Sequence, residues 1–230
     1  MATAVATHAH PPTSTGLDHR KIAIWAFIGS ECMLFASLIS TYLIYKGRSV
    51  VGPFPHDWWC PVTKSVGFCA GENAQHYVQT LRPTLNIPVT SVSTFVLLMS
   101  SLFMVLALAA VENRGKPGYE GILGSSKLWL FATALAGATF LGFQAYEFTS
   151  FVHEGLKITT NLFGSSFFTL TGFHGAHVTA GVLWLVTLLA IDMKRGLQPK
   201  DALLVDISAL YWHFVDVVWI AIFTLVYLIH

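Results

Sequence analysis

Charge is scarce in this sequence: only 11% of its 230 residues are Asp, Glu, Lys or Arg. With 54% of residues hydrophobic, the chain lies outside the usual soluble range and in the membrane class. Lys plus Arg number 13 against 12 for Asp plus Glu, and they are scattered among short connecting segments. No basic face therefore suggests nucleic acid as a partner. Cysteine is nearly as rare. The three present form no Cys-x-x-Cys and no Cys-x-x-Cys-His, which argues against a zinc ribbon and against covalently attached haem. The N-terminal tail also lacks the apolar run and small-residue cleavage site of a secretory signal, and the first hydrophobic run is too long for one. No N-terminal removal is expected.

What the chain has is long apolar runs. Five of them, at about 21–45, 88–111, 127–152, 162–192 and 203–228, are long enough to cross a bilayer as helices at ~1.5 Å per residue. The fold class expected is all-α, a polytopic bundle of five transmembrane helices. Residues 1–20, rich in Ala, Thr, His and Pro, are expected to form a flexible tail, with 21–230 as the membrane domain. A long outer loop, 46–87, carries Trp58, Trp59, Cys60, Cys69 and several prolines. In an oxidising compartment Cys60 and Cys69 could close a short disulfide loop, although spacing alone leaves their pairing open. Asn86 and Pro88 supply a start signal for the second helix.

Polar residues inside these runs are the candidates for function. The stretch from Ser165 to Trp184 holds His174 and His177, three apart, which on a helix face one neighbour together. Beside them Gly172, Ala176 and Ala180 form a small-residue stripe expected to admit another backbone. Glu31 lies ten residues after Lys21, hence ~15 Å along its helix and near mid-bilayer. A carboxyl at that depth costs several kcal/mol unless paired or protonated, so it reads as proton-active or as an organiser of a helix contact. Cys32 beside it reads as a small buried apolar residue.

Gln144 and Glu147 share a face of the third span. Glu147 sits ~30 Å from Lys127 along the axis, which puts it at the interface in a structural role. The hydroxyls of Thr90, Ser93, Thr94, Ser100 and Ser101 read as packing residues that bond back to their own helix. On the fifth span Asp206, His213 and Asp216 fall within an arc of ~80°. Pairing of His213 and Asp216 with His174, His177 or Glu31 is the economical way to satisfy them.

Three deep histidines raise the question of haem, copper or zinc, since imidazole ligates all three. The glycines flanking His174 suit tight helix contact rather than a macrocycle, so no metal site and no catalytic residue is assigned to this chain. With the N-terminus cytoplasmic, eight basic residues (Arg20, Lys21, Arg114, Lys116, Lys127, Lys194, Arg195 and Lys200) lie inside and five (Lys46, Arg48, Lys64, Arg82 and Lys157) outside. That bias has the expected sign and puts the long loop and the C-terminus outside.

Several of these segments carry a resemblance. Gly172-Phe173-His174-Gly175-Ala176-His177-Val178, preceded by Ser165 to Thr171, resembles the signature helix of subunit III of haem-copper terminal oxidases, cytochrome c oxidase above all. Tyr211-Trp212-His213-Phe214-Val215-Asp216-Val217-Val218-Trp219 resembles the family's final helix. Ile28-Gly29-Ser30-Glu31 sits where the family has its membrane-embedded glutamate, and Gln144-Ala145-Tyr146-Glu147 is similar to a further family segment. Mitochondrial members have seven helices; this chain starts at what resembles their third, as in five-helix bacterial forms.

The resemblance implies an accessory subunit without redox centres in a bacterial inner membrane, docked on the large subunit I that holds haem and copper. The complex would oxidise cytochrome c, reduce oxygen to water and translocate protons. This chain would support proton uptake, bind phospholipid and stabilise the large subunit. Two other readings stay open: a subunit III-like partner of a nitric oxide reductase, and an independent proton or solute carrier using Glu31, His213 and Asp216 as a relay.

Overall fold

Each of the five apolar runs becomes one helix. In the computed structural model, which describes residues 18–46, 48, 85, 87–153 and 155–229, they are α1 (His19–Tyr45), α2 (Ile87–Glu112), α3 (Ser126–His153), α4 (Leu162–Arg195) and α5 (Ala202–Phe223). Each is long and apolar enough to span a membrane, so the chain is an all-α, multi-pass bundle. Cys60 and Cys69, the N-terminal tail and nearly all of the long loop lie outside the described residues.

The helix ends follow local chemistry. Asp18 caps α1 by accepting the Arg20 amide at 2.8 Å, and Asn161 caps α4 through the Gly164 amide at 2.6 Å, each satisfying a donor that the first turn leaves open. Gly196 ends α4 with φ 70°, a left-handed conformation that favours glycine. A short 3-10 turn (Pro199–Asp201) then leads directly into α5. After Phe223 the last turn widens into a π-helical segment (Thr224–Leu228), closed by the Ile229 amide on the Thr224 carbonyl at 3.0 Å.

α5 is the central element. It packs against α1, α2 and α4, while α3 lies between α2 and α4. Twelve of its residues are buried, whereas α1 buries only Ile24, Phe35 and Tyr42. Without a hydrophobic force between helices in lipid, close packing and hydrogen bonds hold such a bundle. Trp212 supplies both. Its fully buried indole wedges against Gly137 on α3 and Gly181 on α4; a Cβ added at these glycines would come within 2.5 Å and 2.8 Å of the ring. Its Nε1 donates to Ser100 Oγ on α2 at 2.9 Å.

The expected stripe of Gly172, Ala176 and Ala180 does not make this contact. Ala176 and Ala180 are exposed, and a Cβ on Gly172 would meet nothing within 4 Å. Gly142 is likewise open. The glycines that do admit a neighbour are Gly137 and Gly181, selected by the large indole opposite them. Cys32 is exposed rather than buried, because α1 turns only one narrow stripe towards the bundle.

Candidate functional site

The polar residues of the membrane interior fall into separate groups. Glu31 on α1 meets His177 on α4, with Oε2 3.1 Å from Nε2 and both side chains 16% exposed. His177 Nδ1 lies 2.8 Å from the Phe173 carbonyl, and Tyr211 of α5 donates to the His177 carbonyl at 3.0 Å. Phe35 covers the imidazole edge-on at 5.0 Å. The result ties α1 to α4 and α5 through a partly shielded acid–imidazole pair.

His174 does something else. Its ring is fully buried, stacked on Trp219 at 4.8 Å and met edge-on by Phe140 at 5.9 Å, and neither ring nitrogen has a hydrogen-bond partner. It packs as an aromatic. Trp219 in turn donates from Nε1 to Thr94 Oγ1 at 2.9 Å.

His213 faces a third neighbour, α2, where its Nδ1 lies 2.6 Å from Ser101 Oγ. Asp216, one turn on, is buried and neither carboxyl oxygen has a partner in good hydrogen-bond geometry, although the Ser101 hydroxyl is close enough to interact with it. The pairing expected for His213 and Asp216 with His174, His177 or Glu31 is therefore not formed. Sequence position gave their depth, but the helices rotate His177 towards α1 and His213 towards α2. The three histidines thus diverge, and among the described residues no group of three His, Cys, Asp or Glu side chains is placed to hold a metal ion.

Glu147 lies near the end of α3, level with the first turn of α2, and is held inside the bundle: it is buried at 5% exposure and accepts a hydrogen bond from Thr90 of α2, with Tyr227 of the π-helical segment alongside. Its partner on the same face, Gln144, donates to the Thr171 carbonyl of α4 at 2.8 Å. The α2 hydroxyls are more than packing: Thr90, Thr94, Ser100 and Ser101 each hold a polar side chain of α3 or α5. Paired signals of this role stand in the sequence, two tryptophans seven apart on α5 and hydroxyls six apart on α2.

At the bundle end where α4 passes to α5, sequence reading missed a buried carboxylate. Asp192 has no exposed surface. It accepts from Ser126 Oγ at 2.5 Å and the Leu197 amide at 2.7 Å, with Arg114 Nη1 at 3.7 Å. Arg114 also donates to the Leu197 carbonyl. Lys21 of α1 pairs with Asp206 at 2.8 Å, so Asp206, on the same face of α5 as His213 but about two turns nearer its start, is held by an ion pair of its own.

Because Asp216 gives up no hydrogen bond of good geometry on substitution, Asp216→Leu should leave the melting temperature of the detergent-purified subunit unchanged or higher, as replacing a desolvated acid by an apolar isostere usually does. A fall of several degrees would show that the carboxyl holds the bundle.

The whole chain also matches known sequences. A family model described as cytochrome c oxidase subunit III matches residues 2–230. The chain is 38% identical to the cytochrome c oxidase subunit 3 of Bacillus sp. (strain PS3), covering 96% of this chain and 91% of that one. It is 36% identical to the quinol oxidase subunit 3 of Bacillus subtilis (strain 168), over 90% of this chain and 85% of the relative. To the cytochrome bo(3) ubiquinol oxidase subunit 3 of Pseudomonas aeruginosa it is 33% identical, over 96% and 89%.

Proposed function

Because the chain belongs to the cytochrome c oxidase subunit III family, we propose that it acts as an accessory, non-catalytic subunit of a haem-copper terminal oxidase. Haem and copper reside in the large partner subunit, which reduces oxygen to water while the complex moves protons. The observation that carries this reading is a family match running from end to end.

Within that role the Glu31–His177 pair supports proton supply to the partner, since it is the one interhelical acid–imidazole contact among the described residues and keeps some exposure. Bound phospholipid fits the hydroxyl-lined groove between α1 and α4 formed by Thr41, Tyr45, Ser165 and Thr169. The basic residues at the bundle end bearing Lys21, Arg114 and Arg195 support a cytoplasmic position for that end. The relatives named for cytochrome c and for quinol differ little in identity, so donor choice lies with the partner.

The test is purification in mild detergent by a tag on this chain. A haem spectrum and oxygen consumption should accompany it, with cytochrome c or a quinol as donor. A chain that purifies alone and moves protons in liposomes would establish a carrier instead. In the complex, a lipid-soluble carbodiimide should label Glu31, and Glu31→Gln should lose the label and shorten working lifetime in long turnover assays. An unchanged lifetime would remove Glu31 from proton supply.

A further inference from the structure

The outward side of α5, between α1 and α2, differs from every other outer face described. Its stripe runs through Leu210, His213, Val217 and Ile220, spaced at three and four residues. Val217 is 63% and Ile220 43% exposed, and His213 is half-buried among them. His213 lies ~10 Å along the helix from Asp206, well inside the hydrocarbon.

Hydrocarbon supplies no hydrogen bonds, so polar side chains at that depth turn inward or meet protein. Ser93 and Ser100 donate to carbonyls of their own helix at 2.9 and 2.5 Å; Ser101 lies instead 2.6 Å from His213 Nδ1. When Ser101 donates to Nδ1, the ring hydrogen sits on Nε2, which has no hydrogen-bond partner among the described residues. The outer face of α3 shows what a lipid-facing side looks like. There Phe131, Leu135 and Tyr146 are exposed, and Thr139 and Thr149 return their protons to their own helix at 2.8 Å.

We propose that this face of α5 seats a transmembrane helix of the haem-carrying subunit, which offers a hydrogen-bond acceptor to His213 Nε2 at mid-bilayer. The proposal rests on the subunit reading above and adds the surface and the chemistry of the contact. Val217 and Ile220, both β-branched, flank the imidazole with stiff, short side chains that let the incoming helix approach, and the single buried polar contact fixes its register, as polar residues do between membrane helices.

A photo-crosslinking residue at Val217, with a control at Leu135, tests it in native membranes. Val217 should yield an adduct with the haem-carrying subunit and Leu135 adducts with lipid. His213→Leu should lower the haem retained after detergent washing by roughly three- to tenfold, the loss of one desolvated hydrogen bond, and His213→Gln should restore most of it. Lipid adducts alone at Val217, in a preparation that still carries haem, would overturn the surface while leaving the subunit role intact. Equal haem retention in His213→Leu would overturn the hydrogen bond. Absence of any haem-carrying partner would remove both the surface and the role it rests on.

Discussion

Gly137→Ala lowers the thermal stability of the detergent-purified subunit, and Gly142→Ala, five residues on along the same helix, does not. At Gly137 the added methyl would stand 2.5 Å from Trp212 Cη2 and 2.8 Å from Val182 Cγ2, so the indole must leave its slot. That slot is shared: the same ring presses on Gly181 and anchors Ser100. Overpacking of this kind costs about 1–3 kcal/mol, and the upper end applies because three helix contacts shift together. At Gly142 a methyl meets nothing within 4 Å. The pair should separate by several degrees in a scanning melt of the subunit. Equal melting temperatures would mean that Trp212 does not set the spacing of α3, α4 and α5.

Asp192→Ala should have an effect of similar size for a different reason. The carboxylate alone satisfies the Leu197 amide and the Ser126 hydroxyl, both buried, with Arg114 Nη1 standing off at 3.7 Å. Removing one member of such a buried group strands the rest and costs about 3 kcal/mol. Asp192→Asn keeps an acceptor and should lose less. The measurement is the amount of subunit in membranes, together with hydrogen exchange at the Leu197 amide, which should be slow in the parent and fast in Asp192→Ala. A slow amide in the alanine variant would contradict the assignment.

Much of the fold could be read directly. Apolar runs cannot leave backbone groups unpaired in lipid, so length alone gives helix number and near-correct ends. Position along the helices was legible too: Glu31, His174, His177 and His213 all lie well within their helices. Rotation about each helix axis was not. Gly172 and Gly137 look equally suited to close packing as sequence, and only the position of the Trp212 indole distinguishes them. Glu147 stands near the end of a long helix, and only the structure shows that it turns inward there to face Thr90 across the α2–α3 contact. Asp192 was overlooked because an acid beside Lys194 and Arg195 reads as a solvated end. Its burial follows from the turn at Gly196, which folds the start of α5 back over it.

α1 packs on α4 and α5, the two helices made last. During synthesis the first span must therefore wait in the bilayer while more than a hundred residues follow, as roughly a dozen seconds pass at ordinary elongation rates. Until α4 arrives Glu31 has no imidazole to meet, and a ribosome that stops short of His177 leaves an orphaned acid in lipid. That interval is when a membrane chaperone or quality-control protease would distinguish unfinished copies from finished ones.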